Sequence, residues 1–221
     1  CKFKKLVLCN DLGRSYSNIS PLHQDPSIEG GYTGKGVIIG MIDVGIDFNH
    51  IEFRDENGLS RVRSVFMPEK GIATSVPDEI ANLTTDTESI NHVTPPTCTA
   101  AGSYKGNGYY GVAPGAELVL CGMPEDKLTD DNVETSIRHI INYANEVGKP
   151  VVINMSISDY SGAHDGTSRL SRLIDEVSGP GRIIAVSAGN SGMCRMYIHK
   201  RFESETDTLL FFLEDAFIQT N

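Results

Sequence analysis

The run Gly36-Val37-Ile38-Ile39-Gly40-Met41-Ile42-Asp43 has no polar side chain until it ends on a carboxylate. A strand without polar alternation is buried on both faces, which requires helices above and below it, as in a parallel α/β sheet. Glu117 to Met123, Val151 to Ser158 and Arg182 to Gly189 have the same character and predict three further strands. Between them the period changes. Across Asp130 to Val147, the residues Val133, Ile137, Ile140, Ile141 and Ala144 recur at helical spacing; the stretch opens on acidic residues and stops at Gly148 before Pro150. This predicts an amphipathic helix with both ends marked. Leu170, Leu173, Ile174 and Val177 repeat the pattern over Thr167 to Val177, closed by Gly179-Pro180-Gly181. The alternation predicts a three-layer α/β fold, a mostly parallel sheet with right-handed connections and helices on both faces.

At the two ends the pattern differs. Residues 1–29 are polar and turn-rich, with Pro21 and Pro26, and read as an N-terminal arm leading into the domain proper at residues 30–193. After Gly192 no further strand-helix unit follows; Met196 to Phe202 and Leu209 to Ala216 read as strands separated by the charged turn Glu203 to Asp207.

Composition narrows the function classes. The 221 residues suffice for one sizeable core, and 19 Lys and Arg against 29 Asp and Glu leave a net charge of −10. With no basic run, the electrostatic footprint of a nucleic-acid binder is missing. No apolar run approaches the roughly eighteen residues that a membrane-spanning helix needs. Five scattered cysteines, Cys1, Cys9, Cys98, Cys121 and Cys194, suggest neither a disulfide scaffold nor a zinc site. No cofactor is implied, and no acidic cluster is specific enough to assign calcium. The first residue is Cys1 rather than Met, which fits a cut inside a longer protein, or the lipid-bearing cysteine of a bacterial lipoprotein.

In an open parallel sheet, ligands bind beyond the carboxyl ends of the strands, so chemistry is sought there. Asp43 stands at such an end in Ile42-Asp43-Val44-Gly45-Ile46-Asp47; alone it would read as a turn or cap residue. His92, before Ala100-Ala101-Gly102, would alone read as structural. Asn190, in Ser187-Ala188-Gly189-Asn190-Ser191-Gly192, would alone read as a loop residue.

Together they are far more specific. With Tyr110-Gly111-Val112-Ala113-Pro114-Gly115 and Val152-Ile153-Asn154-Met155-Ser156, these segments resemble the subtilisin-like serine proteases over roughly residues 30–192. Their order, Asp before His, is also that family's. The resemblance implies a peptide or protein substrate and a secreted or cell-surface location. It makes Asp43 the residue that orients the imidazole, His92 the general base and Asn190 the side-chain donor to the oxyanion. Ser156, Ile157 and Ser158 match the strand that pairs with the substrate backbone; alone they would read as an ordinary strand end.

Three departures stand beside the resemblance. Asp43-Val44-Gly45 lacks the usual hydroxyl residue after the Asp, and His92-Val93-Thr94-Pro95-Pro96 replaces the usual His-Gly-Thr-His-Val. Proline is tolerated in a first helical turn, so the helix is expected to form, with Val93 and Pro95 positioned to re-aim His92. No Gly-Thr-Ser-Met-Ala segment, the family's nucleophile motif, follows Asn190. Gly166-Thr167-Ser168 precedes Asn190 and sits where a helix N-cap is expected. The resemblance therefore implies the N-terminal part of a serine endopeptidase domain, truncated before its serine, with residues 194–221 starting an accessory β insertion. A non-catalytic peptide-binding pseudoprotease, or a nucleophile carried on a separate C-terminal fragment, are the rival expectations.

Overall fold

In the computed structural model the described residues are 10–83, 92–104, 106, 108–159, 161–190, 200, 201, 203, 204, 206 and 208. The chain divides into two compact units, one ending at Ala188 and the other comprising Gly189–Asn221. In the second unit Lys200 Nζ donates to the Thr208 carbonyl at 2.6 Å and Ser204 Oγ to the Thr206 carbonyl at 2.6 Å. The two strands expected over Met196 to Phe202 and Leu209 to Ala216 fall almost wholly outside the described residues.

The first unit is built on one sheet. Its strands are β1 (Ile38–Val44), β2 (Val62–Met67), β3 (Ile72–Thr74), β4 (Glu117–Met123), β5 (Val151–Met155) and β6 (Arg182–Val186). They lie in the order β3-β2-β4-β1-β5-β6, parallel except for the β2–β3 pair. The fold is thus a three-layer α/β arrangement, as the alternating pattern predicts. The most apolar run becomes the central strand: β1 is buried at all seven positions, between β4 and β5.

Parity along β1 separates two cores. Ile38 and Ile42 turn to the face covered by α5 (Asp130–Glu146) and α6 (Arg169–Val177), where they join Val119, Ile137, Ile140, Ile153 and Leu173. Ile39 and Met41 turn to the other face, with Leu118, Leu120, Phe53, Ile80 and Val93. That face is covered by α3 (Pro77–Ala81) and α4 (Thr94–Ala101). Asp43 shares the parity of Ile39 and Met41, so it faces the side on which α4 packs. Thr129 caps α5 as its sequence suggests, accepting from the Asn132 N–H at 3.3 Å.

Several elements escape the pattern. The arm contains two short helices, α1 (Asn10–Tyr16) and α2 (Ile19–His23), and is pinned by Arg14. The Arg14 guanidinium donates to the Tyr110 and Gly108 carbonyls and lies 3.7 Å over the Tyr110 ring. The run Arg182 to Gly189, read from its composition as buried on both faces, is a half-open edge strand: Ile183 is 60% exposed and Val186 53%. Ile184 packs beneath α5 and α6, but no described element covers the opposite face of β6.

Two predictions follow from this packing. Gly111 lies against the exit of α4, where a Cβ would stand 2.5 Å from the Gly102 nitrogen, 2.6 Å from the Cys98 carbonyl oxygen and 2.7 Å from the Ala101 nitrogen. All three are backbone atoms, so Gly111→Ala must displace main chain and is expected to cost about 3 kcal/mol in urea unfolding. Gly179→Ala, with nothing within 4 Å of the added methyl, serves as the near-neutral comparison. The second concerns His139, which stacks on Phe66 at 4.7 Å and whose Nε2 is 2.9 Å from Ser64 Oγ. Burial lowers its pKa below the ordinary 6.5. The unfolded chain therefore binds this proton first, and the stability contributed by neutral His139 is present above pH 6.5 and lost as pH falls toward the folded value. Unfolding free energies measured between pH 7.5 and 5 should fall less steeply in His139→Gln than in the parent.

Candidate functional site

The site begins where β1 ends. Asp43, 2% exposed, is the penultimate residue of the strand, and Gly45, at φ 62°, lets the chain leave the sheet at once. Asp43 Oδ1 accepts from the Val44 N–H at 2.7 Å, and both carboxylate oxygens lie 2.9 Å from His92 Nδ1. An ionised carboxylate only accepts, so the ring carries its proton on Nδ1 and leaves the Nε2 lone pair free.

The backbone of His92 is fastened to the same strand end. The N–H groups of His92 and Val93 both donate to the Val44 carbonyl, at 3.0 and 3.1 Å. Val93 then drops into the core with no exposed surface. Pro95 and Pro96 occupy the first turn of α4, where the missing N–H groups would have had no helical partner. Thr94 Oγ1 accepts from the Asp47 N–H at 3.1 Å. Val93 and Pro95 thus leave the ring against Asp43.

The other expected residues are placed as follows. Ser156 and Ile157 continue past the regular end of β5; Ser156 Oγ accepts from Asn154 Nδ2 at 3.0 Å, and the Ile157 carbonyl accepts from Ser187 Oγ at 2.8 Å. Ser158 is exposed. With Asp43, Val44 and His92, Ser156 and Ile157 line a pocket of about 200 Å³. Asn190 belongs to the second unit, Gly189–Asn221. Ser168 is the N-cap of α6, its Oγ accepting from the Ser171 N–H at 3.1 Å, and it begins a helix on the face of the sheet opposite α4.

The pocket also contains Glu125 and Leu128, which the sequence reading passed over. They lie just beyond the carboxyl end of β4, in the turn Glu125–Lys127 and the residue after it. The strand-end rule that drew attention to Asp43 applies equally to β4, so a search of every strand end would have found them.

A possible thiol nucleophile on α4 is disposed of by its surroundings. Cys98 Sγ is 3.7 Å from His50 Nδ1, but burial, aided by Glu52, pushes the thiol up to about 12. It stays protonated at neutral pH and is a poor nucleophile. Among the described residues, no group of three or more His, Cys, Asp or Glu could hold a metal ion. No described helix is long and apolar enough to cross a membrane.

Comparison with known proteins gives the family. The subtilase family, peptidase S8, matches residues 34–208. The chain belongs to the subtilase family. It is 28% identical over 194 residues to a subtilisin of Bacillus sp. (strain TA39), covering 86% of this chain and 43% of that protein. It is 29% identical over 167 residues to subtilisin E of Bacillus subtilis (strain 168), covering 73% of this chain and 36% of that protein. Among solved structures it resembles the Clostridium perfringens CspB protease, with a TM-score of 0.71 and 26% identity over 81% of this chain and 41% of that one. The chain therefore spans less than half the length of these relatives.

The buried carboxylate supplies a test of the pair. Burial has the largest effect on Asp43 and raises its pKa above 3.8; the Val44 N–H and the His92 ring lower it less. The fold thus keeps this proton to a higher pH than the unfolded chain does. Its contribution to stability falls as pH rises from 3.8 to the raised value, and stays constant above that. Asp43→Asn removes the buried charge, so its unfolding midpoint at pH 7 should be no lower than the parent's. The amide would present an N–H to Nδ1 and move the ring proton to Nε2, a switch read directly from the ¹⁵N shifts of His92.

Proposed function

We propose that this chain is the Asp–His part of a subtilisin-like serine endopeptidase domain. The observation that carries the reading is the bidentate approach of Asp43 to His92 Nδ1, which leaves Nε2 free at the rim of a pocket beside Ser156 and Ile157. His92 Nε2 takes the proton of a serine hydroxyl as its oxygen attacks the scissile carbonyl, and returns that proton to the leaving amine. Asp43 fixes the tautomer and stabilises the imidazolium. Asn190 is assigned, by resemblance, as the side-chain donor to the oxyanion. The substrate is a peptide or protein whose extended backbone pairs along Ser156–Ser158. Residues 194–221 begin an accessory β insertion, and a secreted or cell-surface location rests on family membership alone.

Ser168 is committed to capping α6, and no serine after Asn190 stands in the nucleophile motif. We therefore assign the nucleophile to a segment outside these 221 residues. The second reading, a peptide-binding pseudoprotease, is favoured by Val44 standing where the family has a hydroxyl residue.

Fluorophosphonate labelling followed by intact-mass analysis separates them. The product of the whole reading frame that contains these residues should be labelled once, with His92→Ala abolishing labelling and Asp43→Asn slowing it by about 10⁴-fold. The 221-residue chain alone should not be labelled. Labelling of Ser168 would overturn the assignment of the nucleophile, and an unlabelled whole product would replace the protease by the pseudoprotease.

A further inference from the structure

The pocket beside His92 carries a charge that the hydrolytic chemistry does not use. Among the described residues its lining consists of Asp43, Val44, His92, Glu125, Leu128, Ser156 and Ile157, with no Lys or Arg. Asp43 is satisfied by the Val44 N–H and the imidazole. Glu125 is different. It is exposed, and among the described residues none of the nearby ion pairs engages it: Lys127 pairs with Asp126 at 3.1 Å, and Arg169 with Asp131 and Glu134 at 2.6 Å each. The same pocket is lined by the apolar side chains of Val44, Leu128 and Ile157. Its volume of about 200 Å³ suits one side chain rather than several.

We propose that Glu125 is the specificity-determining residue of this cleft, selecting a peptide with Arg or Lys in the pocket beside His92. This inference rests on the reading of the site as a peptide-binding protease cleft. The chemistry follows from the lining. An aliphatic stem lies along Leu128 and Ile157 while its cationic head reaches the Glu125 carboxylate, an arrangement suited to a long basic side chain. A neutral aliphatic side chain of equal length gains the same apolar contact but leaves Glu125 unpaired. An acidic one meets a like charge at the rim and the Asp43 carboxylate further in. A peptide paired along Ser156–Ser158 turns alternate side chains to one side, so one residue of it can enter the pocket without disturbing the main-chain ladder.

The test uses the product of the whole reading frame that contains these residues, with three capped peptides, acetyl-Ala-Ala-X-Ala-Ala-amide with X as Arg, Met or Glu. The alanine flanks let each peptide choose its own register. Affinity is followed through NMR shifts of the Leu128 and Ile157 methyls and the His92 ring. The Arg peptide is expected to bind about fivefold more tightly than the Met peptide, the size of an ion pair at an exposed rim, and the Glu peptide most weakly. Glu125→Gln should bring Arg and Met within about twofold, and Glu125→Lys should invert the order of Arg and Glu. Because Glu125 is exposed, neither substitution threatens the fold. Equal binding of Arg and Met by the parent chain, or an Arg preference that survives Glu125→Gln, would overturn the assignment while leaving the cleft intact. If none of the peptides shifts His92, Leu128 or Ile157, the cleft reading itself fails and the selection falls with it.

Discussion

Two N–H groups share one carbonyl at the end of β1, and the site depends on that junction. The Val44 oxygen accepts from His92 and Val93 as the chain enters α4, so the imidazole is carried to the strand end by main-chain bonds before its side chain makes any contact. Asp43, one residue earlier on the same strand, then needs only its ordinary rotameric reach to meet Nδ1. A carboxylate this deeply buried is costly unless its lone pairs are engaged. The Val44 N–H and the ring supply those partners, and burial nevertheless keeps its pKa raised. The geometry is therefore reciprocal: the His is placed by the strand that bears the Asp, and the Asp is tolerable because the His is there.

The far end of α4 is held just as firmly. Arg61, 4% exposed, donates to the Ala116 carbonyl at 2.6 Å, the Glu52 carbonyl at 2.7 Å and the Ala101 carbonyl that ends the helix. Burial lowers the guanidinium to about 10, which still leaves it charged at neutral pH. It supplies a cation and one donor to the Ala101 carbonyl, which the helix C-terminus leaves unpaired, and ties that end to the Glu52 and Ala116 carbonyls. Gly111 closes against the same turn, its N–H donating to the Gly102 carbonyl at 2.8 Å. With both ends tied, the helix between them becomes a rigid spacer, and the orientation of His92 does not depend on the glycine that usually follows the histidine in this family.

The two faces of the sheet divide the labour. The face under α5 and α6 is a dense aliphatic core in which Ser168 serves only to start a helix. The face under α4 carries the Asp–His pair at its carboxyl edge, and the loops after β1, β4 and β5 come together around one pocket at that edge, with Leu128 and Ile157 packed against the α5 and α6 core. The proposed chemistry and the proposed selection thus draw on separate residues. Asp43 and His92 are fixed by β1 and α4, whereas Glu125 and Leu128 ride on the short turn after β4, where substitution costs the fold little.

Periodicity alone determined the strands β1, β4 and β5 and the helices α5 and α6. Central strands of a parallel sheet must be apolar on both faces, and surface helices must carry an apolar stripe, so both leave patterns that survive without tertiary information. The shorter β2 and β3 leave no such pattern, because a strand at or near a sheet margin need not be uniformly apolar, and the apolar run of β6 does not reveal that, among the described residues, only one of its faces is covered. Family resemblance singles out Asp43 and His92, 49 positions apart, but no one-dimensional pattern contains the shared Val44 carbonyl that joins them. The pocket was less legible still. Glu125 follows β4, Ile157 follows β5 and Val44 ends β1; they become neighbours only because β1 inserts between β4 and β5, a strand order that chain order does not state.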